Sequence, residues 1–280
     1  MKNSRIKIGI VPTELGGMDI RALTYLILFQ NTIQTSFEFQ FMPFDSEHRL
    51  FKLLNSKTPV GRSEVTAEAD KFIENYDEWL RSKAAGYRIT PSYPDGIIFL
   101  SICRFSDNYF ATGGNGWDII ALGNWERIMA PPSIVEFFLT LVLRASIDVA
   151  CGQNFPARHQ SLKGCVFDFS ATISNARYSV LTGYLCQTCC KKISSERSEQ
   201  VAEDAKMLFS KQWLGEAMQP TTVSNIVKKL GYDLFHTSGI KPTLGERLLA
   251  TAEKEAVANI IKLIGTIFLA GLLLWLGLKQ

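Results

Sequence analysis

The chain has 280 residues, 46% of them hydrophobic and 20% charged, and a formal net charge of +3. That apolar fraction supports a sizeable core and excludes a disordered chain, while so small a charge gives no reason to expect a nucleic-acid partner. The basic start MKNSRIKIGIVP loses its apolar run at Pro12, which argues against a secretory signal and for a reducing compartment, where cysteines stay thiols or metal thiolates.

Residues 6–11 alternate loosely and read as a first strand. The loop PTELGGMD follows; Gly16 and Gly17 lack the rest of any phosphate-binding motif and read as a plain turn. Asp19 is placed to cap a helix to about Gln30, and FEFQFMPF alternates as a strand over 37–44. Helical spacing of Val65, Ala69, Phe72, Tyr76 and Leu80 predicts a helix over 63–83. After Pro91 and Pro94 come strands at 97–102, 109–112 and 117–122, the last two separated by a Gly-Gly-Asn-Gly turn. Ser133 caps a helix over 134–150 that is apolar nearly all round. Glu136, Thr140, Arg144 and Asp148, at steps of four, form one polar stripe on it, either a solvent-facing seam or the lining of a cleft.

The stretch HQSLKGCVFDFSATISNARYSVLTGYLCQTCC, 159–190, carries the chemistry. Cys186 and Cys189 form a C-x2-C pair, a spacing at which one turn brings two thiolates onto one cation. Upstream, His159 and Cys165, six positions apart, are the natural residues to complete a Cys3His tetrahedron around a structural Zn2+. Buried, redox-idle cysteines are the alternative. Cys190 is a substitute ligand by position, and Cys103 and Cys151 read as small core residues. Cys151 with His159 as nucleophile and base has only sequence proximity behind it. Beyond the cysteines, Ser194 or Ser195 is expected to cap a helix to about Met218, and Thr221 or Thr222 another ending at Gly231. His236 follows in a loop, and Thr243 with Glu246 has capping-box spacing.

Residues 263–278, LIGTIFLAGLLLWLGL, hold no charge and only Thr266 as a polar residue. Counted from Ile260, a helix there would span about 28 Å, close to the hydrocarbon thickness of a bilayer. This predicts a single transmembrane anchor. Lys228, Lys229, Lys254 and Lys262 precede it and only Lys279 follows, so the expectation is a single-pass protein of the inner (cytoplasmic) membrane with its N-terminal domain in the cytoplasm. A buried terminal helix is the competing reading.

The order of elements, closing on a His/Cys cluster, resembles the archaemetzincins, zincin-fold metallopeptidases with an H-E-x-x-H-x-x-G-x-x-H-C motif followed by C-x-M and C-x-x-C. Cys165 falls on the cysteine of C-x-M, with Phe167 in place of methionine, and Cys186 and Cys189 fall on C-x-x-C. His159 falls on the last histidine of the long motif, and Gln160 replaces the first structural cysteine. The same register puts Val149, Ala150 and Gln153 where the catalytic His, Glu and His belong. Valine and alanine neither bind metal nor move a proton.

The resemblance implies an α+β fold, a zincin-like mixed sheet with packed helices over 1–192 and the zinc-binding segment at 159–190; the capping and hydropathy patterns add a helical region over 193–258 and a transmembrane anchor over 259–280. The expected function is that of a membrane-anchored pseudo-metallopeptidase, a binding or scaffold protein or a membrane effector such as those of bacterial anti-phage defence. Its expected partners are the membrane and either a second copy of the chain or another protein. The alternative is an active zinc metallopeptidase with non-standard ligands drawn from His159, His236, Glu126 or Glu136.

Overall fold

Neighbouring residues in the central strands face opposite sides of the sheet, and both sides are apolar. In the computed structural model, Ile98 and Leu100 enter one hydrophobic core while Ile97 and Phe99 enter a second, and Ile120 and Ile119 divide the same way. That is the period-two geometry of a strand buried on both faces. The structure describes residues 5–231 apart from 17, 19, 153–158 and 161–162, together with 252, 255, 259, 262–264 and 266.

Five strands form one mixed sheet: β1 (Ile6–Pro12), β2 (Phe37–Phe41), β3 (Gly96–Ser101), β4 (Ala111–Gly114) and β5 (Trp117–Ala121), in the order β2-β1-β3-β5-β4. All neighbours pair in parallel except β4, which runs antiparallel to β5 at one edge. Helices α2 (Arg49–Leu54) and α3 (Arg62–Tyr87) contribute to the core containing Phe99. Helices α1 (Ile20–Ile33) and α4 (Ile134–Cys151) contribute to the other. Also in that core are α5 (Ile173–Thr182), α6 (Gln187–Glu196), α7 (Glu199–Ser210) and α8 (Val223–Lys229). The chain to Ile240 makes one compact unit, and the class is α+β.

Helix α4 is the rod on which the second core is built. Ser133 closes a capping box with Glu136, its side chain accepting from the Glu136 amide while the Glu136 carboxylate accepts from the Ser133 amide at 2.7 Å. Fourteen of its eighteen residues are buried. The polar stripe is no solvent-facing seam: Thr140 and Arg144 are buried, and Arg144 and Asp148 line cavities. Two expectations change at the local level. One helix beginning at Ser194 or Ser195 is replaced by two, because Arg197 leaves helical geometry and Ser198 starts α7 by accepting from the Val201 amide. Short helices α2 and α5 form where sequence periodicity showed none.

The transmembrane expectation is corrected. Among the described residues no helix is long and apolar enough to cross a membrane. The longest, α3, is studded with charge along its 26 residues, and apolar α4 carries Glu136, Arg144 and Asp148. Of 263–278, only Leu263, Ile264 and Thr266 are described, as helix; the rest of that run, like Gly17, Asp19, Gln153, His236, Thr243 and Glu246, lies outside the described residues. The single-pass anchor and the inner-membrane location therefore do not stand.

Candidate metal centre

A short pair of bridges holds the upstream half of the site. The His159 amide donates to the Phe167 carbonyl at 3.1 Å and the Phe169 amide to the His159 carbonyl at 2.9 Å, pairing His159 with Asp168. Asp168 closes the turn over 163–168, its amide donating to the Cys165 carbonyl at 2.9 Å. Its Oδ2 accepts from the amides of Lys163 (2.6 Å) and Cys165 (3.1 Å), and the residue is completely buried. Gly164 takes a left-handed conformation (φ 75°), and its carbonyl accepts from the Thr182 hydroxyl at 2.6 Å. Cys165, bridged to Tyr184, is thereby presented on a rigid knuckle.

The downstream half is a helix start. Cys186 is the N-cap of α6, and Cys189 lies in its first turn. The Cys186 amide donates to Cys165 Sγ at 3.5 Å, tying the two halves together. Gly183, which ends α5 with φ 55°, sits so close to the Phe209 carbonyl that a side chain would overlap it, so the approach to α6 is anchored on α7.

These constraints bring His159, Cys165, Cys186 and Cys189 together, with their ligand atoms all within 4.8 Å of one another. His159 Nε2 is 3.2 Å from both Cys186 Sγ and Cys189 Sγ, and Cys165 Sγ is 3.9 Å from Cys189 Sγ. A tetrahedral ion with bonds of about 2.0–2.3 Å has ligand–ligand edges of roughly 3.5–3.8 Å. The three distances lie within about 0.3 Å of that range, and the cluster can hold a metal ion.

The protonation balance points the same way. Hydrogen bonding from the Cys189 thiol lowers Cys165 to about 5, helped by the amides of Cys186 and Phe167. The bond it gives to Cys165, together with burial, drives Cys189 far upward. One thiolate is thus favoured and a second opposed until a cation neutralises both.

The remaining sequence candidates lie elsewhere. Cys190 directs its thiol to the Leu185 carbonyl at 3.8 Å, outside the cluster. Cys151 ends α4, its thiol pushed up to about 11 by burial, the wrong direction for a nucleophile. Glu136 serves the capping box, and His48 caps α2 by accepting from the Leu50 amide. Sequence reasoning missed Asp168; the one signal available was a lone carboxylate in the apolar run Cys165–Phe169. Phe167 is fully buried, with the Arg144 guanidinium 5.9 Å over its ring.

The chain matches no family model, no curated protein and no solved structure.

Proposed function

We propose that the chain is a non-catalytic, zincin-like binding protein whose fold is clipped by one structural zinc on His159, Cys165, Cys186 and Cys189. The observation carrying this reading is the convergence of three thiols and one imidazole within 4.8 Å. Sulfur-rich, four-ligand sets suit zinc over harder cations, and four protein ligands leave no open position for water or substrate. Zinc bound there would neutralise the thiolates and fasten the Cys165 knuckle to α6.

The non-catalytic half of the reading rests on chemistry. The chain has three histidines; His48 is engaged as a helix cap and His159 belongs to the cluster. At the end of α4, the positions that the resemblance assigns to catalysis begin with Val149 and Ala150, which offer no donor atom. Function then lies in binding a partner protein or a second copy of the chain.

Zinc per chain, measured on the purified full chain under reducing conditions beside Cys186→Ser, tests both halves. One zinc, lost in the variant, is expected. Two zincs with hydrolysis of a casein substrate would overturn the non-catalytic reading, and none would remove the metal.

A further inference from the structure

Strand β2 ends the sheet, and its sequence FEFQF, three phenylalanines with one charge, is of the kind that readily adds to a copy of itself. Along a strand, the N–H and C=O of one residue point to one side and those of the next residue to the other. The even-numbered residues around β2 pair with β1: the Ile6 amide donates to the Ser36 carbonyl at 2.8 Å and the Met42 amide to the Ile10 carbonyl at 2.9 Å. Phe37 and Phe39 therefore turn their peptide groups to the side where no further strand follows.

Two carboxamides from the end of α1 occupy that side. Gln34 Oε1 accepts from the Phe37 amide at 2.7 Å while its Nε2 donates to the Phe37 carbonyl at 2.8 Å. Asn31 does the same at Phe39, its Oδ1 accepting from the amide at 2.7 Å and its Nδ2 donating to the carbonyl at 2.8 Å. A carboxamide offers donor and acceptor as a peptide unit does, so the pair stands in for two residues of a neighbouring strand. Asn31 reaches a residue eight positions away, which is beyond a local turn or cap. Arg5 fastens the segment that carries both clamps, donating to the Asn31 and Gln34 carbonyls at 3.3 Å each.

We propose that Asn31 and Gln34 form an intramolecular surrogate strand that keeps β2 from pairing with β2 of a second copy of the chain. An incoming strand would have to break four hydrogen bonds before it could make its own at Phe37 and Phe39. With the clamps removed, those groups are left without partners, and the same edge of a second copy is their natural complement, because two such edges related by a two-fold axis satisfy each other. The inference goes beyond the binding role proposed above and narrows it: recognition of another chain does not run through the β2 edge. The zinc cluster takes no part in it.

Hydrogen exchange and sedimentation of the zinc-loaded full chain test this. In the parent, the Phe37 and Phe39 amides should exchange as slowly as those of β1, although they lie on the outer side of an edge strand. Asn31→Leu keeps the side-chain size and removes one clamp, so the Phe39 amide should exchange at least about tenfold faster while Phe37 stays slow. Asn31→Leu combined with Gln34→Met opens both. As concentration rises, both variants are expected to sediment at about twice the parent's mass or more, the double variant first, with protection of Phe39 returning in the associated form. Asp204→Ala loosens the adjoining Thr35 and Ser36 but leaves both clamps, and should sediment with the parent. Fast exchange of Phe37 and Phe39 in the parent overturns the proposal. So does sedimentation of both variants with the parent at every concentration, or equal self-association of Asp204→Ala. If the double variant does not fold, Asn31→Leu alone decides. None of these readouts depends on zinc stoichiometry, so this inference and the proposed function fail separately.

Discussion

Removing the metal from the His159/Cys165/Cys186/Cys189 cluster should loosen a long loop, and the cost can be worked from where the ligands fall in the chain. His159 and Cys189 are 30 positions apart, and a clip between them closes that loop in the folded and the unfolded chain alike. Treated as a cross-link, a loop of about 30 residues restricts the unfolded ensemble by roughly 12 cal/mol/K, or about 3–4 kcal/mol at 25 °C. Residual metal binding by the unfolded thiols is what makes the clip behave as a cross-link; weaker binding there raises the effect. For a unit of this size, 3–4 kcal/mol corresponds to a fall in Tm on the order of 10 °C. Calorimetric melting of the full chain, reduced throughout, with and without a high-affinity zinc chelator, measures it. Cys189→Ser should melt near the chelated parent and no longer respond to chelator. Equal melting temperatures for all samples, within about 1 °C, would refute the argument.

Other parts of the fold make sharper local tests. Asp204, buried on α7, accepts from the Thr35 and Ser36 amides and from the Ser36 hydroxyl at 2.6 Å; Asp204→Ala should cost about 3 kcal/mol in urea unfolding. Gly183→Ala combines a left-handed φ with overlap on the Phe209 carbonyl and should lose at least about 2 kcal/mol, along with zinc affinity measured by chelator competition. A methyl group on Gly96 would meet Val149 Cγ2 at 2.5 Å, so Gly96→Ala should cost about 1–3 kcal/mol, and adding Val149→Ala should restore most of it. Because burial raises the Cys151 thiol to about 11, its thiolate forms only as pH rises toward that value. Its alkylation by iodoacetamide, followed by mass spectrometry, should therefore be far slower than that of glutathione at pH 8 and climb through pH 9–11.

Local patterns in the chain determined much of the framework. Strands β3 and β5 are legible as short, largely apolar runs and β1 and β2 by alternation along the chain, and α4 is legible because Ser133 and Glu136 write its start three residues apart. Residue type also nominates soft metal donors, since C-x2-C is a recurrent spacing for two thiolate ligands on one ion. Tertiary structure decided what those donors meet. The distances at the cluster depend on Asp168 closing a turn, on Gly183 seating against α7 and on Cys186 capping α6, none of which is a matter of spacing along the chain. The same holds for the polar stripe of α4, whose Arg144 and Asp148 face cavities because β4 and β5 and the 169–170 segment lie opposite. Hydropathy over 263–278 counts apolar residues and nothing else, so it measures what a helix there would prefer and not what surrounds it. Periodicity reports which side of an element is apolar; only the packing of distant segments decides which polar atoms share a cavity or an ion, because those contacts join residues whose separation in sequence carries no signal.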